Sequence, residues 1–133
     1  MSVYVTDTHA LIYYANSNHA QLSARAREAF EQAERGEAFI LIPAPALWEV
    51  SMLEQAGHIK LRKPFRDWAR DLLQNPCFDC APLDAEVISE ARDYSFNNDI
   101  FDAAIVATAR LRNLPLITKD MAITDSGLVE VYW

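Results

Sequence analysis

Glycine is scarce in this chain of 133 residues, three in all, and cysteine scarcer still at two. So few glycines exclude a glycine-rich phosphate loop, and no repeat, low-complexity tract or linker interrupts the chain. Cys77 and Cys80 have the spacing of a redox or half-zinc motif, but no second pair exists to complete a zinc site. They fall in an expected short strand, where residues three apart point to opposite faces, and no helix start follows to lower a thiol pKa. Two reduced thiols are expected. The three histidines, His9, His19 and His58, are dispersed, without a nucleophile partner or ligand spacing, so Ser-His-Asp hydrolysis finds no support. No window approaches the roughly 20 apolar residues of a membrane span, and the N-terminus lacks the basic start and apolar run of a signal peptide. A cytoplasmic protein with no membrane association is expected. Basic residues are also few, 12 against 19 acidic ones for a net charge of −7, which would disfavour a nucleic-acid partner if the charges were evenly spread.

What is present is apolar and periodic. A hydrophobic fraction of 51% over this length predicts one domain, residues 1–133, with a real core. Val3 to Thr6 reads as a short strand and Asp7-Thr8-His9 as the start of a helix. A polar helix follows over about Ser23 to Arg35, with Ala26, Ala29, Phe30 and Ala33 at helical spacing and Gly36 as its stop. Ala38 to Ile42 is a continuous apolar run, as expected of a strand buried on both faces. Pro45 to Leu53 reads as a helix with a wide apolar surface. Another helix spans about Phe65 to Leu73, then come a weak strand at Phe78 to Cys80 and a helix from Asp84 to about Arg92. Ile100 to Leu111 is apolar nearly all round, which predicts a buried helix, and Leu116 to Thr118 is the strand after it. This alternation predicts an α/β fold of three layers, α/β/α, around a central parallel sheet of four to five short strands.

Ligands of such sheets bind outside the carboxyl ends of the strands, and acids collect there. Asp7 closes the first strand and Asp120 a late one, Asp102 opens a helix, and Glu49 lies among apolar residues of another. Each has an ordinary alternative: Asp7 and Asp120 as turn or cap residues, Asp99 and Asp102 as caps of the buried helix. Glu49 is harder to dismiss, because a charge among apolar neighbours is rarely buried without a partner. Clustered carboxylates repel one another and are retained where a cation sits among them, and an all-oxygen donor set points to Mg²⁺ or Mn²⁺. Asp99, three residues before Asp102, would share its helix face. Thr8 and Thr118, each beside a strand-end acid, either support the site or cap. His9 reads as a surface residue at a helix start, and Tyr13, Tyr14 and Trp48 as core aromatics.

The charge is unevenly distributed. Lys60, Arg62, Lys63, Arg66 and Arg70 fall within one eleven-residue stretch, a local phosphate-facing patch on an acidic protein, with a solvated helix face as the alternative. Lys119, Arg110 and Arg112 are the next cations beside the expected crevice.

The segments Val-Tyr-Val-Thr-Asp7-Thr-His-Ala-Leu-Ile, Pro45-Ala-Leu-Trp-Glu49-Val, Asp99-Ile-Phe-Asp102-Ala-Ala-Ile-Val-Ala-Thr-Ala109 and Leu116-Ile-Thr-Lys-Asp120 resemble the successive motifs of the PIN-domain family, especially its VapC-type toxins. The likeness spans almost the whole chain. It implies a metal-dependent endoribonuclease using Mg²⁺ or Mn²⁺, the toxin of a type II toxin-antitoxin pair. It further implies an RNA substrate, inhibition by a small antitoxin protein, and a homodimer; the basic stretch from Lys60 to Arg70, read from the charge distribution, would contact the RNA backbone. By position, Asp7, Glu49, Asp102 and Asp120 match the family's acidic quartet, catalytic and metal-binding, and Asp99 an extra acid of one subgroup. Where that subgroup often reads His-x-Asp-Pro-x-Asp-Arg, this chain has Asn97-Asn98-Asp99-Ile100-Phe101-Asp102-Ala103, which removes an arginine contact to phosphate. Two other readings are a receiver-type phosphoacceptor, which alternates strand and helix more evenly than this chain, and a non-catalytic PIN-like binding module.

Overall fold

The computed structural model describes residues 1–133. Strand β1 (Ser2–Thr6) is central, with β2 (Ala38–Pro43) on one side and β4 (Leu116–Ile117) on the other. Strands β3 (Phe78–Ala81) and β5 (Val131–Tyr132) form the edges, giving the order β3-β2-β1-β4-β5. Every pairing is parallel, so each connection must cross over the sheet. The seven helices that make or follow these crossings are α1 (Thr8–Ala15), α2 (Ala24–Glu34), α3 (Ala44–Gln55), α4 (Phe65–Gln74), α5 (Ala85–Ala91), α6 (Ile100–Arg112) and α7 (Met121–Ser126).

From β1 the chain steps through α1 and α2 to β2 in one direction, whereas from β3 it steps through α5 and α6 past β1 to β4 in the other. Right-handed crossovers of opposite direction lie on opposite faces of the sheet. Accordingly α2 packs on β2, α6 crosses β1 and β2, and α5 packs on α6. The core between them holds Val5, Leu11, Phe30, Ile40, Ile42, Val50, Ile105, Val106, Leu116, Ile117 and Ile123, each at most 1% exposed.

The strands form where the sequence is mainly apolar, and five of the seven helices start where a short polar side chain precedes them, whereas α3 and α4 follow Pro43 and Pro64. Ser23 caps α2 by accepting from the Ala26 N–H at 3.1 Å, and Asp84 caps α5 through the Val87 N–H at 3.0 Å. Helix α6 ends on Asn113, whose φ of +54° is the left-handed conformation that asparagine tolerates.

Three expectations need correction. The apolar run of β2 buries Ala38, Ile40 and Ile42 fully on one face, but on the other Phe39 stays exposed and Leu41 half-buried. Helix α6 is buried only over Ala104–Ala109: Ile100 is 73% exposed and Leu111 39%, each lying in an open groove beside α5 that nothing covers. Trp48, expected in the core, is 56% exposed on α3 and meets Phe101 edge-on at 5.6 Å, while Tyr14 does pack inward against Phe30 and Phe78. Three short elements were not legible from periodicity: a 3-10 turn at His19–Gln21, helix α7 of six residues and strand β5 of two.

Cys77 is buried just before β3 and Cys80 half-buried within it; both are free thiols. Burial, and then the charge of Asp79, push the Cys80 thiol up from its ordinary pKa, the opposite of activation. No helix is long and apolar enough to cross a membrane.

Candidate functional site

The strand order reverses at β1, and an open cleft of about 480 Å³ lies there, at the carboxyl ends of β1 and β4. Asp7, Glu49, Asp99, Asp102 and Asp120 all line it, together with Thr8, His9, Tyr13, Lys119 and Met121. Residues scattered over more than 110 positions in the sequence therefore share one wall-to-wall site.

Local structure explains how each acid comes to face the cleft. Asp7 follows β1 directly; its N–H donates to the Ile117 carbonyl at 3.1 Å and its Oδ1 accepts from the Ala10 N–H at 2.8 Å as the N-cap of α1. Asp120 caps α7 in the same way through the Ile123 N–H at 3.1 Å. Asp99 caps α6, with Oδ1 accepting from the N–H groups of Phe101 at 2.8 Å and Asp102 at 3.2 Å. Capping and facing the cleft are compatible. Each cap uses one carboxylate oxygen, and a carboxylate has a second oxygen with its own lone pairs.

Glu49 and Asp102 are held by side chains. The Thr8 hydroxyl donates to Glu49 Oε1 at 2.5 Å, a link from α1 to α3 across the cleft floor. Asn97 Nδ2 donates to Asp102 Oδ2 at 2.9 Å. Thr118, fully buried, accepts from the Asp120 N–H at 3.1 Å and its hydroxyl lies beside Asp7. Both threonines thus support acids rather than stand in the cleft by themselves.

The electrostatics carry the mark of crowding. Burial raises the Asp7 carboxyl above its ordinary pKa, and the charge of Asp120 adds to this; hydrogen bonds from Thr118 and the Ala10 N–H and the charge of His9 oppose it. Asp102 is pushed up to about 6, first by burial and then by the charges of Asp99, Asp120 and Glu49, with the Asn97 bond pulling the other way. A hard divalent cation fits this donor set, because it would remove the repulsion and takes oxygen ligands. The acids do not form a closed cage: no three acidic, histidine or cysteine side chains converge closely enough to ligate one ion by themselves. Magnesium commonly keeps several of its waters, so an open carboxylate cleft suits it better than a tight all-protein shell.

The basic stretch lies elsewhere. None of Lys60, Arg62, Lys63, Arg66 and Arg70 lines the cleft, although all five are exposed. Lys63 is paired with Asp71, and Arg62 donates to the Ser17 hydroxyl at 2.7 Å. Arg66 and Arg70 make no ion pair. The cleft contains instead three residues that the sequence did not mark as a group. Tyr13, expected in the core, is half-buried on the cleft wall; His9 is exposed there one turn earlier; and Lys119 holds its ammonium 4.9 Å above the Tyr13 ring. The i,i+4 spacing of His9 and Tyr13, counted from Asp7, was the available signal for the first two.

Comparisons with known proteins agree with this geometry. No curated protein matches the chain by sequence. Solved structures that share its fold include VapBC2 from Rickettsia felis bound to a promoter DNA fragment (TM-score 0.67, 14% identity, covering 98% of this chain and 99% of that one); FitAcB from Neisseria gonorrhoeae (0.66, 19%, 98% and 96%); and DNA-bound VapBC from Salmonella typhimurium (0.66, 16%, 98% and 97%). At such identities the likeness is one of fold. The sequence model of the PIN domain matches residues 4–125, a span that begins in β1 and takes in every acid of the cleft. The chain therefore belongs to the PIN-domain family.

Proposed function

We propose that this protein is a metal-dependent endoribonuclease acting as the toxin of a type II toxin-antitoxin pair. The observation that carries the reading is the convergence of Asp7, Glu49, Asp102 and Asp120 on one cleft at the sheet's switch point, with Asp102 raised to about 6 by burial and then by its acidic neighbours. Family membership and the likeness of fold to toxin-antitoxin complexes support it. The quartet would hold one or two Mg²⁺ or Mn²⁺ ions, with the free oxygen of Asp99 as a further donor. When bound, such an ion supplies Lewis-acid polarisation of the phosphate and lowers the pKa of an attacking water.

The chain's own residues do the positioning. Thr8 fixes the orientation of Glu49 and Asn97 that of Asp102, roles that normally matter for ligand geometry. The pKa of about 6 at Asp102 belongs to the metal-free cleft; a cation held there would favour the ionised carboxylate and bring it down. Arg66 and Arg70, exposed and without ion-pair partners, would contact the RNA backbone at a distance from the chemistry. An antitoxin segment bearing Arg or Lys complements the acidic cleft and would block it. Leu83, Ile88 and Ile100 form an exposed apolar face between α5 and α6, which supports pairing with a second copy of the chain; its mass in solution tests this.

The purified chain should cleave RNA with Mg²⁺ or Mn²⁺ and stop with chelator, and Asp7→Asn should fold and be inactive. Full activity of Asp7→Asn would sink the assignment. A chain that cleaves no RNA and binds no Mn²⁺ is a non-catalytic PIN-like module.

A further inference from the structure

Lys119 is the one lysine or arginine that lines the acidic cleft. An ammonium among five carboxylates is expected to pair with one of them, yet Lys119 makes no ion pair. Its ammonium rests over the Tyr13 ring, 4.9 Å from the centroid. The ring face attracts a cation through its quadrupole without neutralising the charge, so the ammonium keeps its hydrogen-bond donors for another acceptor. Tyr13 is itself fixed on α1, one turn and a half from Asp7, and Lys119 directly precedes Asp120.

From this we infer that Lys119, held over Tyr13, is a substrate-positioning residue that grips a non-bridging oxygen of the RNA phosphate entering the cleft. The inference rests on the ribonuclease reading and adds to it the group that fixes the phosphate against the acids. A lysine kept as a stand-in for an absent cation would instead sit on the carboxylates. Lys119 does not.

The test separates binding from chemistry. In an Asp7→Asn background with Mg²⁺ present, the affinity for a short single-stranded RNA is measured over a range of salt concentrations. Lys119→Met should weaken it roughly tenfold at low salt and flatten the log–log salt slope by about 0.7, the release expected for one phosphate contact on a single strand. Lys119→Arg should restore most of the affinity and slope. Tyr13→Leu should weaken binding severalfold, and Tyr13→Phe, which keeps the ring, by less. In the active chain, Lys119→Met should raise KM by a similar factor with a smaller effect on kcat. An unchanged slope and KM in Lys119→Met overturn the inference while leaving the nuclease reading intact. A gain of activity also overturns it, because it would make Lys119 a competitor of the metal. If wild type binds RNA without cleaving it and Lys119→Met flattens the slope, the phosphate grip stands and the nuclease reading falls.

Discussion

Removing a charge from the cleft should stabilise the metal-free protein, and Asp102→Asn is the substitution that shows it most clearly. Asp102 carries a pKa of about 6 against an ordinary 3.8, so the folded state disfavours its ionised form. The sign follows directly. Well below the ordinary value the carboxyl is protonated whether folded or unfolded and costs nothing; between the two values the folded chain binds the extra proton, so stability falls as pH rises; above about 6 the full cost is present. Undiminished, the shift corresponds to about 3 kcal/mol at roughly 1.4 kcal/mol per pH unit. Asp102 is only half-buried, so solvent screening leaves roughly 1–2 kcal/mol. For a domain of this size that is about 3–6 °C in Tm. The Asn97 donor is not orphaned, because the side-chain amide oxygen introduced by the substitution can accept from it. Thermal unfolding in chelator should therefore show Asp102→Asn melting above wild type at about pH 8, with the difference shrinking towards zero at about pH 4. Adding Mg²⁺ should raise the wild-type Tm and reverse or erase the gap. A variant that melts several degrees below wild type at the higher pH, or a gain that persists unchanged in acid, would refute the reasoning.

Three further outcomes are expected. Thr8→Val keeps the buried shape but leaves Glu49 without its donor; it should cost about 1–2 kcal/mol by chemical denaturation and lower RNA cleavage roughly 10–100-fold, and wild-type activity would show that the 2.5 Å contact does not orient the acid. Asp99→Ala should lose about 1 kcal/mol as an uncapped helix, while Asp99→Ser should regain it. If Asp99→Ser remains impaired in cleavage, the second oxygen serves the site, and full recovery would reduce Asp99 to a cap. Arg66→Glu with Arg70→Glu should raise KM and flatten the salt dependence of RNA binding with kcat nearly preserved, and unchanged affinity at low salt would remove the patch from the RNA path.

Sequence reading went furthest where one residue type served one purpose. The alternation of apolar strands with helices yields a parallel α/β sheet, and β1, β3 and β4 are followed by the acids Asp7, Asp84 and Asp120 because each leads into a helix that needs a cap, whereas β2 runs through Pro43 into α3. The gathering of Asp7 and Asp120 into one cleft follows from sheet topology, since ligand sites lie at the switch point. Burial of long helices was less legible. Ile100 and Trp48 look like core residues by composition, but exposure is decided by which neighbours reach the ends of α6 and the outer side of α3, and no local pattern encodes that. Lys119 was legible as a cation beside the crevice, but its seat over Tyr13 was not: the two lie more than a hundred residues apart, and only the closure of β1 beside β4 brings them together. The basic stretch shows the converse. It is conspicuous in the sequence, yet its position on and before α4 leaves it outside the cleft, with Lys63 spent on Asp71.

The gathered carboxylates are expected to hold a hard divalent cation. Calorimetric titration of the chelator-stripped chain with Mn²⁺, repeated in competition with Mg²⁺, measures this without reference to any RNA. Saturable binding of one or two ions, displaced by Mg²⁺ and lost when Asp7→Asn is combined with Asp102→Asn, is the predicted result. Absence of binding, or binding undiminished in the double variant, would contradict it.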